Sequence, residues 1–180
     1  YDVSKAQVII PASDVSEQIS LAGKEASGTS NMKFMMNGAL TLGTLDGANV
    51  EISQLVGKDN IVIFGLKNDE VQKIKFENSY NPWDVYYQDK RVQAVMESLV
   101  DGTFSEDHEQ FRMIYDEIMY RNDEFMVLKD FDDYLSASKK VEQLYLDRRN
   151  FARKCLVNIA KSGWFSSDRT IDEYNRDIWH

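Results

Sequence analysis

The sequence has 180 residues, 43% of them hydrophobic and 28% charged, enough apolar material for the core of one ordinary domain or part of a larger one. Its 21 basic and 30 acidic residues give a net charge of −9, a sign that disfavours nucleic acid and anionic lipid as partners. The single cysteine, Cys155, cannot close an internal disulfide, and no cluster of ligating residues suggests a metal site. No leader-like segment and no apolar run long enough for a bilayer stands out, so a cytoplasmic setting is expected. The chain opens Tyr1-Asp2-Val3 without a methionine, which suggests processing or origin in a longer chain.

In chain order, Val15 to Ala22 reads as helical. A small-residue turn, Ala26 to Ser30, then precedes a helix-like run from Asn31 to Ala39. Leu40 to Leu45 reads as a strand, Ala48 to Val56 as a helix that stops at Gly57, and Ile61 to Phe64 as a second strand. Strand–helix–strand implies parallel strands joined by a crossover. Two strands do not make a sheet, so further strands are expected upstream of this sequence. Seven of the nine glycines (23, 28, 38, 43, 47, 57 and 65) fall in residues 1–66. Glycine lets backbone approach backbone or ligand closely, so this part reads as site and sheet.

Residues 67–180 read as helical. Apolar stripes recur at Val92 to Val100, Phe111 to Met119, Phe131 to Tyr145 and Phe151 to Ile159. A last helix is predicted from a Ser166-Ser167-Asp168 cap toward Trp179. The stripes read as core, and Cys155 as a small apolar residue on one of these faces.

Chemistry concentrates in Gly23 to Asn37, GKEASGTSNMKFMMN. A turn of small residues before a helix leaves several N–H groups unpaired, and with the helix dipole they make an anion site. Lys33, one turn in, adds an amine able to hold a phosphorylated carbonyl cofactor as its Schiff-base partner. The plainer reading is an ordinary capped helix with a surface lysine. Gly23-x-x-x-x-Gly28-Thr29-Ser30 also resembles a nucleotide P-loop, but Thr29 stands where that motif needs lysine, and no strand is expected to run into Gly23.

Three stretches decide between these readings: Glu25-Ala26-Ser27-Gly28-Thr29-Ser30-Asn31-Met32-Lys33-Phe34, Asn37-Gly38-Ala39-Leu40, and Gly43-Thr44-Leu45-Asp46-Gly47-Ala48-Asn49-Val50-Glu51. Together they resemble the pyridoxal-phosphate signature of the α-glucan (glycogen, starch or maltodextrin) phosphorylases. Tyr1-x-Val3-Ser4 and Ile10-Pro11-Ala12 are similar to the family's approach to the site. Ser162-Gly163, Phe165 to Thr170 and Ile178-Trp179 are similar to its C-terminal end. The resemblance implies an α/β fold, the C-terminal part of a Rossmann-like (GT-B type) glycosyltransferase domain. Few parallel strands (about 1–66) would be followed by a mainly helical half (about 67–180), with the N-terminal domain absent.

The resemblance also implies phosphorolysis of terminal α-1,4-linked glucose to glucose 1-phosphate, with α-1,4-glucan and inorganic phosphate as substrates. It implies pyridoxal 5′-phosphate on Lys33, its phosphate held by Gly28, Thr29 and Ser30, and Tyr1 against its ring. Glu25, Ala26, Ser27 and Gly28 would line the glucose pocket, making Lys33 and Glu25 the expected catalytic residues. Many members have glycine where Ser30 stands; serine should serve if its φ is negative. The full-length enzyme is expected to be a regulated, homodimeric protein whose dimer and control residues lie outside this sequence.

Other polar residues read as structural. Asp46 or Asn49 is expected to cap the helix that follows, with Glu51 beside them. His108 and His180 lie far along the chain in charged, helical surroundings, and Arg169 follows a cap and should meet acidic groups of a neighbouring segment. A chain acting alone, as a binding or structural module, is the competing hypothesis. The missing methionine and incomplete sheet favour part of a phosphorylase, inactive by itself.

Overall fold

The computed structural model describes residues 2–180. Asp2 caps the first helix, α1 (Val3–Ala12), its carboxylate accepting the Lys5 N–H at 3.1 Å. Strand β1 (Val15–Gln18), helix α2 (Thr29–Met36), strand β2 (Leu40–Gly43), helix α3 (Ala48–Val56) and strand β3 (Val62–Ile63) follow. The strands form one parallel sheet in the order β1-β2-β3, with Val15 opposite Leu40 and Leu42 opposite Val62.

The helix expected over Val15 to Ala22 is therefore a strand followed by a loop. Ser13 is already extended (φ −92°, ψ 131°), and pairing with β2 overrides the weak local helical pattern. Leu21 and Ala22 are buried in that loop. The other two strands stand where expected but are shorter, and α2 spans Thr29 to Met36 rather than Asn31 to Ala39. Helix α3 has the expected bounds and stops at Gly57.

Central strand β2 is buried along its whole length, as a parallel strand covered on both faces must be. Leu40 and Leu42 pack with Val62, Phe64, Ala137, Val141 and Phe151, each leucine contributing about 1.5–3 kcal/mol by leaving water. Met35 of α2 and Ala48, Ile52 and Val56 of α3 form a second cluster with Ile61.

Seven helices follow: α4 (Asn68–Glu77), α5 (Pro82–Gln88), α6 (Lys90–Ser98), α7 (Arg112–Met119), α8 (Val127–Leu146), α9 (Arg148–Lys161) and α10 (Ser167–Tyr174). Helices α5 to α8 share their own core of Tyr86, Val92, Met96, Tyr115, Met119 and Leu128. Ser166 caps α10 as expected, accepting the Asp168 N–H at 3.2 Å, but the helix gives way to a π-turn at Asn175–Trp179. His108 lies in the turn between α6 and α7, not on a helix. Among the described residues no helix is long and apolar enough to cross a membrane, and no group of three His, Cys, Asp or Glu side chains is placed to hold a metal.

Candidate functional site

Two connections leave the C-terminal ends of adjacent parallel strands, the position at which open α/β sheets bind ligands. The first, residues 19–28, joins β1 to α2, and the second, residues 44–47, joins β2 to α3. Gly28 is the N-cap of α2, at φ +80°, and offers no side-chain acceptor to the first turn. The N–H groups of Thr29 and Ser30 have no intrahelical partner, while the Met32 N–H turns to the Asn31 side-chain oxygen at 3.1 Å. Ser30 lies on the helix with negative φ, which meets the condition for serine at this place. Its hydroxyl donates to Gln18 Oε1 at 3.3 Å.

Lys33 is the fifth residue of α2, one turn from that N-terminus, and is exposed. It borders two clefts. One, of about 440 Å³, lies between Thr29, Met32 and the segment Ser162 to Ser167. The other, of about 330 Å³, lies against Val3, Ala6 and Ile10 of α1. Tyr1, expected against the cofactor ring, lies outside the described residues.

Glu25, Ala26 and Ser27 form an exposed stretch immediately before Gly28. Its shape is set from the second connection. Asp46 Oδ2 accepts the N–H groups of Lys24 (3.1 Å) and Glu25 (2.8 Å), and the Ala48 N–H donates to the Ser27 carbonyl at 2.5 Å. Gly47, at φ +49°, packs so closely that a Cβ there would lie 2.5 Å from the Ser27 carbonyl oxygen. Beneath them Asn31 Nδ2 donates to Asn49 Oδ1 (3.0 Å), and Asn49 Nδ2 donates to the Thr44 carbonyl (3.0 Å).

The capping role expected for Asp46 or Asn49 is thus not what they do. Gly47 is the N-cap of α3, with no side-chain cap: the Asp46 carboxylate goes to the β1–α2 connection, and the Asn49 amide bridges Asn31 and the Thr44 carbonyl. The sequence singled out both residues but could not show that their partners lie 18 to 22 positions upstream. Glu51 is separate again: it accepts the Trp164 indole N–H at 2.8 Å. Arg169 finds its acidic partner on its own helix, and meets the neighbouring segment through Trp164. It stacks 3.7 Å from the Trp164 ring centroid, donates to the Trp164 carbonyl at 2.6 Å and pairs with Glu173 at 2.8 Å. Lys24 reaches away from the loop to Glu124 (2.8 Å), and this bond holds the Glu124 carboxyl below its ordinary range. Cys155 packs partly buried against the sheet core, and burial pushes its thiol up, away from the reactive thiolate.

A small parallel sheet with mostly helical surroundings, two connections at the C-terminal strand ends and a lysine one turn from an uncapped helix N-terminus define an α/β protein. A family model described as carbohydrate phosphorylase matches residues 1–180, and the chain belongs to that family. It is 52% identical over 179 residues to the glycogen phosphorylase of Bacillus subtilis (strain 168), a match covering 99% of this chain and 22% of that protein. Identity is 48% over 180 residues to the glycogen phosphorylase of Synechocystis sp., with 99% and 21% covered. It is 47% over 186 residues to the maltodextrin phosphorylase of Streptococcus pneumoniae, with 100% and 24% covered. The chain therefore spans between a fifth and a quarter of the length of these relatives.

Proposed function

We propose that these residues form the C-terminal, cofactor-holding part of a pyridoxal-phosphate-dependent α-glucan phosphorylase. The complete enzyme would transfer the terminal α-1,4-linked glucose of a glucan to inorganic phosphate, releasing glucose 1-phosphate. The carrying observation is Lys33, one turn from an uncapped helix N-terminus, in a chain about half identical to glycogen and maltodextrin phosphorylases. A cytoplasmic setting and a homodimer built through other sequence belong to the same reading.

The residues present fit the cofactor. Thr29 and Ser30 carry N–H groups without intrahelical acceptors, Gly28 has no side chain to obstruct an approaching phosphate, and Lys33 borders open clefts. Lys33 would hold the cofactor covalently through its amine. The backbone of Gly28 to Ser30 would fix its phosphate, the dipole of α2 adding to those hydrogen bonds. When bound, the cofactor would supply a phosphate group able to donate a proton or stabilise charge. Glu25 would accept hydrogen bonds from sugar hydroxyls, with Ala26, Ser27 and Gly28 lining the pocket.

The test is phosphate-dependent release of glucose 1-phosphate from maltodextrin by a chain of the relatives' full length that includes these residues. The wild type should be active and Lys33→Ala inactive. A folded wild type with no activity, or a fully active Lys33→Ala, would sink the reading.

A further inference from the structure

The backbone of Lys24 and Glu25 turns its N–H groups onto one carboxylate oxygen, Asp46 Oδ2, at 3.1 and 2.8 Å. Hydrogen bonds to an ionised acceptor are about twice as strong as neutral ones. Asp46 itself stands on a fixed turn. Its N–H donates to the Thr44 carbonyl (2.9 Å), and its carbonyl accepts the N–H of the buried Asn49 (3.1 Å). At the far end of the same stretch, the Ala48 N–H holds the Ser27 carbonyl at 2.5 Å. The β2–α3 turn thus grips the segment from Lys24 to Ser27 at both ends, while the Lys24 side chain leaves toward Glu124.

We propose that Asp46 is a positioning residue for glucan binding, fixing through the backbone where the Glu25 carboxylate is presented. The inference rests on the assignment of Glu25 to the sugar pocket made above. A site held by rigid supporting residues keeps its geometry, and one left to a mobile loop does not. Glu25 lies on an exposed stretch with no helix or strand of its own, so this support falls to Asp46.

The experiment uses the complete enzyme and four variants: Asp46→Ala, Asp46→Asn, Asp46→Ser and Glu25→Ala. For each, KM for maltodextrin, KM for phosphate, kcat, cofactor absorbance per chain and Tm are measured. Asp46→Ala should raise the maltodextrin KM roughly ten- to a hundredfold, with the phosphate KM and cofactor content unchanged. Asparagine presents one oxygen able to take both N–H groups, so Asp46→Asn should stay within about threefold of wild type. If Asp46→Ala does not fold, Asp46→Ser, too short to reach both N–H groups, should show the same rise.

A wild-type maltodextrin KM in Asp46→Ala or Asp46→Ser overturns the proposal, as does equal damage in Asp46→Asn. A variant that loses only stability or cofactor also overturns it. Glu25→Ala separates the two possible failures. A raised maltodextrin KM there, with none in Asp46→Ala, removes the positioning role alone. No rise in Glu25→Ala removes the sugar-pocket assignment itself.

Discussion

Asn31 and Asn49 are each 2% exposed, and the hydrogen bond between them joins the first turn of α2 to the first turn of α3. Replacing Asn49 with leucine would leave the Asn31 amide without this acceptor and take one of two donors from the Thr44 carbonyl, which keeps the Asp46 N–H; the buried amide alone should cost about 1–3 kcal/mol. Denaturant unfolding should show that loss for Asn49→Leu; an unchanged midpoint would mean that water replaces the bond. Gly47→Ala is expected to be more damaging than a surface substitution. A left-handed backbone costs a non-glycine residue about 1–2 kcal/mol, and here the added Cβ also meets the Ser27 carbonyl. Its Tm should fall below that of Gly57→Ala, which has positive φ but open space around it. At this scale the sequence was partly legible. A small-residue turn followed by a helix was readable, but the pattern places the start at Asn31, two residues after the observed Thr29. What Asp46 and Asn49 bind was not legible, because capping and long-range bridging use the same residue types.

Helix boundaries followed local signals where those signals were strong. Ala48 to Val56 ends at a glycine, and Ser166 has a serviceable hydroxyl, so both termini could be read directly. Helix α5 was missed although Asn81-Pro82 carries the standard start: Asn81 accepts the Trp83 N–H at 3.1 Å with proline at the first helical position. Strand β1 was misread because only four residues pair, and their partner lies 25 positions away at Leu40. Helix α8 adds a pH-dependent element. Asp130 Oδ1 accepts the Leu66 N–H at 2.9 Å, yet burial, aided by Asp133, Asp123 and Glu70, raises its carboxyl above the ordinary 3.8. A raised acid favours the protonated fold, so the stability it contributes is present below 3.8 and lost as pH rises through the raised value. Asp130→Asn keeps an acceptor for Leu66 without the charge. It should melt higher than wild type at pH 7, with the gap closing on acidification; a gap that widens toward low pH would contradict the sign.

Across the whole molecule, the sheet ends at β1 on one side, and apolar residues of the segments before and after β1 stand in solvent: Val8 and Ile9 of α1 are 70% and 56% exposed, and Ile19 is 62%. An open strand edge with apolar neighbours is a template for further pairing. The 180 residues alone should therefore self-associate and release no glucose 1-phosphate, checked by light scattering and the phosphorolysis assay. A monomeric, active 180-residue chain would mean that the site is complete within it. The central claim, that Lys33 carries the cofactor, has a more direct test in a chain of the relatives' length. The purified enzyme is treated with borohydride to fix any lysine–cofactor link, digested, and mapped by mass spectrometry. The account predicts the reduced cofactor on the peptide containing Lys33. Cofactor on another lysine, or an active enzyme carrying none, would contradict it.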